Sequence, residues 1–311
     1  MAQEILQVSP LPPFMMNALQ EADYIVHDHT HIKDPGALSK VTAIIGTGAA
    51  KVDKKLLAML PHLKLIAICG VGYDGVDVAA AIEKGVVVTH TPGVLTDDVA
   101  DLAMGLVLSI GRRLPQADKF VRNGDWVDDV FALTHKVSGA RLGIVGMGRI
   151  GRAIGKRAAA FDMRISYTCR EPKTDVSYTF YKTAIALAAE VDYLVVAVPG
   201  GDDTKNLIDA QVLAALGSKG YLINIARGTV VDQPVLVQAL KEKTIAGAAL
   251  DVYWDEPIID PELRRLPNVV LTPHIASATV ETRQAMAALT LDNLQAFFDG
   301  RVLPTPVPEC Q

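Results

Sequence analysis

Cysteine, aromatic side chains and surplus positive charge are all scarce in this 311-residue chain. Its three cysteines, Cys69, Cys169 and Cys310, are odd in number and far apart, so they cannot pair fully and carry no zinc spacing. That usage suits a reducing compartment. Aromatics make up 5% of residues, and acids outnumber bases 35 to 30 for a net charge of −5. A dedicated nucleic-acid binder and a polybasic membrane binder are thereby excluded. No apolar run reaches the roughly 18 residues that span a bilayer. The longest candidate, 102–110, is flanked by Asp101 and Arg112. Glu4 and the early prolines are unlike a signal peptide. The expectation is a cytoplasmic protein with neither a nucleic-acid nor a membrane partner.

What the chain has in quantity is apolar residues, 50% against 21% charged, which is the balance of a folded globule. At about 100–200 residues per domain, the length suggests two domains. Short β-branched runs alternate with Ala/Leu-rich stretches almost throughout. Candidate strands are 41–45, 63–69, 85–89, 142–145, 164–168, 193–198, 221–226, 245–250 and 269–272. Helical stretches such as 54–60, 76–84, 149–161 and 232–241 lie between them, the last with Asp232 as cap and Pro234 in its first turn. This alternation predicts an α/β architecture of parallel sheets covered by helices on both faces. Two longer helical patterns, 96–111 and 279–300, mark the crossings between domains. The expected division is 1–98 completed by 282–311, with 99–281 inserted as a second domain.

The strongest local signal is the segment Gly143-Ile144-Val145-Gly146-Met147-Gly148-Arg149-Ile150-Gly151. It places Gly-x-Gly-x-x-Gly after an apolar strand and before an amphipathic helix. Gly146 permits the tight turn, Gly148 lets the backbone approach a pyrophosphate, and Gly151 lets helix pack on strand. The next strand then selects the dinucleotide. NAD-type sites carry an acid about 20 residues on, for the ribose 2′-hydroxyl. Here Cys169 and Arg170 lie 18 and 19 residues past Gly151, and Thr168-Cys169-Arg170 holds no carboxylate. A guanidinium forks onto a phosphate, and the missing acid would have repelled one. The cofactor predicted is therefore NADP(H), with Thr168, Arg170 and Lys173 at its 2′-phosphate. Glu171 complicates this, since it can neutralise Arg170; the bland alternative makes Arg170 a solvated loop residue.

In doubly wound sheets ligands sit beyond the carboxyl ends of strands. Those ends deliver Arg227 after 221–226, Asp251 and Glu256 after 245–250, and His274 after 269–272. Arg227 suits a substrate carboxylate and the neighbouring ketone oxygen. His274 suits proton delivery to that oxygen as hydride reaches carbon. A carboxylate from Glu256 bonded to the imidazole would orient it and favour its charged form. Each residue alone has a bland alternative, as a surface ion pair, a turn residue or a helix-start polar group. Elsewhere, His27, His29 and His31 alternate as strand-borne metal ligands do. No Cys or acid at ligand spacing accompanies them, and no metal is expected. His62, His90 and His135 have no evident partner.

At these residues the chain resembles the D-isomer-specific 2-hydroxyacid dehydrogenase family over essentially its whole length. The blocks that carry the resemblance are Gly70–Asp74, Thr96–Asp101, Gly146–Gly151, Asn224–Gly228, Asp251–Pro257 and Pro273–Ser277. The resemblance implies two Rossmann-like domains, the nucleotide domain inserted into the substrate domain. It implies Arg227, Glu256 and His274 as the catalytic set, and a backbone loop at Val71 and Gly72 for the substrate carboxylate. Cofactor contacts are implied at Thr96, Arg149, Ile150, Val198, Pro199, Ile225, Ala226 and Asp251. It further implies a homodimer, to which 96–126 contributes and in which Phe131 or Leu133 reaches a neighbour. The stretch Thr168-Cys169-Arg170 is similar to the NADPH-preferring glyoxylate/hydroxypyruvate and hydroxyphenylpyruvate reductase branch. The activity implied is reduction of small 2-oxo acids to D-2-hydroxy acids. Reductases of bulkier 2-oxo acids (phenylpyruvate, 2-ketogluconate) and non-enzymatic dinucleotide-sensing corepressors built on this scaffold are the alternatives. The compact length, with no long tail to recruit partners, speaks against the corepressor. The apolar stretch 10–16 would line a roomier pocket or simply join the core.

Overall fold

The structure is a computed structural model and describes residues 3–28, 30 and 35–311. The chain divides into two compact units, Met1–Leu95 with Thr279–Gln311 and Thr96–Ala278. In the first, β1 (Glu4–Gln7), α1 (Pro13–Glu21), β2 (Ile25–Asp28), β3 (Ala43–Thr47), α2 (Lys54–Ala58), β4 (Leu65–Cys69), α3 (Val78–Glu83) and β5 (Val87–Thr89) follow in order. The five strands form a parallel sheet ordered β2-β1-β3-β4-β5. Strands of such sheets are covered on both faces and so read as unbroken apolar runs. In Leu65–Cys69 every residue is buried.

The second unit runs through α4 (Thr96–Arg112), α5 (Leu114–Arg122), β6 (Arg141–Val145), α6 (Arg149–Ala159), β7 (Arg164–Thr168), β8 (Thr179–Phe180), α7 (Ala184–Ala188) and β9 (Tyr193–Val196). It continues with α8 (Ala210–Leu216), β10 (Tyr221–Asn224), α9 (Gln233–Lys241), β11 (Gly247–Leu250) and β12 (Val269–Leu271). Its sheet is parallel throughout, ordered β12-β11-β10-β9-β6-β7-β8. The order in which strands are added reverses between β6 and β9, the place where such sheets open a crevice for ligands. Short polar side chains start the crossover helices. Asp232 accepts the Val235 N–H and Asp209 accepts those of Gln211 and Val212.

The chain then returns to the first unit through α10 (Val280–Phe298), capped by Thr279. Val307, fully buried, completes the core around Leu6, Ile44, Ile66 and Val88. Met15 joins the buried set in the first unit while Phe14 stays exposed, so the 10–16 stretch supplies core on one side only. Among the described residues no helix is long and apolar enough to cross a membrane. His27 is engaged by Glu4, Nε2 lying 2.8 Å from Oε2; His29 and His31 lie outside the described residues. Two predicted strands run on too far: β9 ends at Val196 and β10 at Asn224 rather than two residues later. After Asn224 the ladder gives way to bonds made by its own side chain.

Candidate active site

The glycine turn connects β6 to α6, and each glycine answers a different demand. A Cβ on Gly151 would lie 2.0 Å from the Gly146 carbonyl oxygen, and one on Gly146 would meet the Ala197 carbonyl at 2.6 Å. Gly146 also holds φ at 104°, which side-chain-bearing residues avoid. A Cβ on Gly148 would meet no heavy atom within 4 Å beyond its own stretch of chain. Packing thus requires the outer two glycines and leaves the middle one open. Gly148 caps α6 without any side-chain bond, so first-turn N–H groups such as those of Arg149 and Ile150 have no protein cap. Arg149 is exposed and Ile150 half-buried.

At the end of β7 the Thr168 carbonyl accepts the Gly146 N–H at 2.9 Å, with its side chain buried. Cys169 donates its thiol to the Glu171 carbonyl at 2.9 Å. The Tyr167 hydroxyl accepts the Lys173 N–H at 2.8 Å. Asp175 is taken by Arg152 of α6 through two bonds of 2.7 and 2.9 Å. Arg170 itself is exposed. No ion pair within 4 Å joins it to Glu171 among the described residues. Val198 and Pro199 follow β9; Val198 packs beside the Gly146 turn and Pro199 is exposed.

Asn224, buried at the end of β10, shapes the loop that presents Arg227. Its Oδ1 accepts the Ala226 N–H at 3.0 Å and its Nδ2 donates to the Arg227 carbonyl at 2.9 Å. Ile225 and Ala226 are buried and Arg227 is half-buried. A Cβ on Gly228 would stand 2.0 Å from the Tyr253 carbonyl, so two strand-end loops touch there through bare backbone.

The end of β11 is tied to the end of β12 by Asp251, which is fully buried. Its Oδ1 accepts the Thr272 hydroxyl at 2.6 Å and the Ile275 N–H at 2.9 Å, and its Oδ2 accepts the Ala276 N–H at 2.9 Å. Its carbonyl accepts the His274 N–H at 2.9 Å. These bonds hold His274 at φ 53°, a left-handed conformation that costs on the order of 1–3 kcal/mol for a residue with a Cβ. Tyr253 shares its hydroxyl between the carbonyls of Leu250 and Thr272, at 3.0 and 2.9 Å. Burial and the charge of Asp251 push that phenol well above its ordinary range, so it stays protonated and braces the two carbonyls.

Glu256 meets His274 on this platform, Oε2 lying 2.5 Å from Nδ1, while Oε1 accepts the Tyr253 N–H at 2.9 Å. Burial alone would raise the Glu256 carboxyl. The bonds from His274 and Tyr253 N–H, with the charges of His274 and Arg227, hold it below the usual carboxylate value. The His274 side chain is 46% exposed, which leaves its far ring edge accessible. The structure thus brings Arg227, Glu256 and His274 to neighbouring strand ends. The bracing by Asn224 and Tyr253 was not foreseen. The signal for it is faint: a polar residue closing an apolar run, followed by a short loop.

Val71 and Gly72 belong to the first unit, in the loop after β4, and both are half-buried. Among the described residues no protein acceptor takes either backbone N–H. Thr96 opens α4, half-buried, with Asp97 and Asp98 beside it in the first turn. Phe131 packs on its own chain, against Phe120 at 5.4 Å with the Arg113 guanidinium 5.3 Å from its ring. Leu133 is 99% exposed.

A doubly wound unit with an open glycine turn, and an arginine beside a carboxylate–imidazole pair at its strand ends, defines the class of dinucleotide-dependent oxidoreductases. Residues 104–276 match the family model described as D-isomer specific 2-hydroxyacid dehydrogenase, NAD binding domain. Glyoxylate/hydroxypyruvate reductase A of Arabidopsis thaliana is 45% identical over 307 residues, covering 97% of this chain and 98% of that one. Hydroxyphenylpyruvate reductase of Plectranthus scutellarioides is 50% identical over 267 residues, 86% and 85% of the two chains. Among solved structures, the NADPH-dependent glyoxylate/hydroxypyruvate reductase of Sinorhizobium meliloti, complexed with NADP and malonate, superposes with a TM-score of 0.93. It shares 42% identity, over 100% of this chain and 98% of that one. The chain belongs to the D-isomer specific 2-hydroxyacid dehydrogenase family.

Proposed function

We propose that this chain is an NADPH-dependent reductase that converts small 2-oxo acids, glyoxylate and hydroxypyruvate, to D-2-hydroxy acids. The observation that carries this reading is the 2.5 Å Glu256–His274 pair next to Arg227 at the strand ends. In this reading 1–98 with 282–311 is the substrate domain and 99–281 the nucleotide domain. Arg227 holds the substrate carboxylate and polarises the ketone; in the first unit, the Val71 and Gly72 N–H groups are the assigned carboxylate loop. Glu256 keeps Nδ1 of His274 occupied, so the proton goes to the ketone oxygen from Nε2.

The residues present fit the dinucleotide. The space around Gly148 and the uncapped first turn of α6 suit a pyrophosphate. Arg170, exposed at the end of β7 with Lys173 nearby, suits a 2′-phosphate. Thr96, Arg149, Ile150, Thr168, Cys169, Val198, Pro199, Ile225 and Ala226 complete the assigned contacts. Asp251, also among the assigned contacts, spends three of about four acceptor sites on Thr272, Ile275 and Ala276 and so fixes the strand-end loop beside the cofactor. When bound, the cofactor supplies the hydride. Wild-type protein should oxidise NADPH with glyoxylate or hydroxypyruvate faster than it oxidises NADH. In Arg170→Ala the NADPH preference should fall about 10–100-fold, because a charge-assisted bond contributes roughly 1.5–3 kcal/mol. An unchanged preference would remove Arg170 from the site, and no turnover with any 2-oxo acid would remove the activity.

The 50% identity to hydroxyphenylpyruvate reductase favours aromatic 2-oxo acids as a second substrate class, and phenylpyruvate belongs in the same panel. The protein works in the cytoplasm as a homodimer on this proposal. Trp126, Val127, Val130 and Leu133 are 69–99% exposed, an apolar strip that a second copy would cover. Light scattering should give twice the 33.3 kDa chain mass, and Val130→Asp with Leu133→Asp should return it to the monomer value.

A further inference from the structure

The peptide between Val71 and Gly72 is trans. In a trans peptide the C=O and N–H lie in one plane and point in opposite directions. Whatever grips the Val71 carbonyl therefore also aims the Gly72 N–H. That grip exists, since Nδ1 of His90 lies 3.0 Å from the Val71 oxygen. A carbonyl only accepts, so the imidazole is the donor and the proton sits on Nδ1.

His90 is itself held from several directions. Its N–H donates to the Thr305 carbonyl at 3.1 Å, and its carbonyl accepts the Thr305 hydroxyl at 2.6 Å. Its ring meets Tyr73 edge-on, centroids 5.3 Å apart at 88°. The following residue, Thr91, donates its N–H to the Gly70 carbonyl at 2.8 Å. Residues 90–91 thus clamp the 70–73 loop on both sides of the Val71–Gly72 peptide. Donation to the carbonyl also polarises that amide, which makes its N–H a better donor.

We propose that His90 is a positioning residue of the substrate site, fixing the peptide plane that turns the Gly72 N–H toward a bound carboxylate. This rests on the reading of Val71 and Gly72 as the carboxylate loop. His90 touches no reacting atom. Its loss should weaken substrate binding and leave the chemical step and the cofactor alone.

His90→Leu removes the donor, whereas His90→Asn keeps an N–H the same number of bonds from the backbone. With glyoxylate, His90→Leu should raise KM about three- to tenfold, with kcat changed less than twofold. The dissociation constant of malonate should rise by the same factor, and NADPH affinity should stay constant. His90→Asn should lie within twofold of wild type on all counts. The proposal is overturned if folded His90→Leu keeps the wild-type KM and malonate affinity. It is also overturned if Asn rescues no better than Leu, or if NADPH affinity and KM move together. A wild type inactive toward every 2-oxo acid would overturn the reductase reading instead, and malonate affinity in the two variants would still decide for or against His90.

Discussion

Replacing His274 by alanine is expected to lower kcat with a 2-oxo acid about 10²–10⁴-fold, the usual contribution of a positioned proton donor. NADPH affinity, read by its fluorescence, should stay within a factor of two. The side chain is half-exposed and, among the described residues, its side-chain bond is to Glu256, so its removal leaves no core cavity. Alanine fits the left-handed backbone at φ 53° less well than histidine, so its variant also needs a melting curve. Asn tolerates that conformation well, so His274→Asn separates backbone comfort from proton delivery. Both variants should be slow. A His274→Ala enzyme within tenfold of wild type would mean that the ketone oxygen receives its proton elsewhere. The pair also has a pH signature. Glu256 is held below its ordinary value of 4.5 when folded. Its contribution to stability is thus present above that value and is lost as pH falls through the lowered one. Nothing of it should change between pH 6 and 8.

The largest stability loss is expected from Gly228→Ala. The new Cβ would stand 2.0 Å from the Tyr253 carbonyl carbon and oxygen and 2.5 Å from the Trp254 nitrogen. All three are main-chain atoms, so no side chain can swing away, and the segment leading to Glu256 must move. A loss above about 4 kcal/mol is in the range reserved for such clashes. In a unit of this size it corresponds to a fall in Tm on the order of 10 °C. Gly148→Ala is the matching control. Its Cβ would meet no heavy atom within 4 Å beyond its own stretch of chain, so it should melt like wild type and lose NADPH affinity alone. If Gly228→Ala melted with wild type, the contact between the Arg227 and Tyr253 loops would be looser than described.

The sequence revealed the parts whose signals are local. Gly146–Gly151 is legible because three glycines meet three steric demands within six residues, and the strand-end residues are legible because apolar runs announce their own ends. Strands β1, β2 and β8 were not read, since four or two residues of mixed polarity carry no period to detect. The partners of His90 were equally hidden, because Thr305 and Val71 reach it from 215 and 19 residues away. Asn224 shows the same limit from the other side. Its side chain ends β10 two residues before the apolar run does, and nothing in the run says so. Asp251 was placed at the site for its position, but its bonds to Thr272, Ile275 and Ala276 exist only once β12 lies beside β11.

The interleaving of the two units sets an order on their biosynthesis. The contiguous unit has all its strands and helices once Ala278 has been translated. The other has its five strands early, yet its core stays open until α10 and Val307 emerge. At about 5–20 residues per second, residues 279–311 take roughly 2–7 s. For that interval the ribosome carries an open parallel sheet, the stage at which chaperones would be most needed.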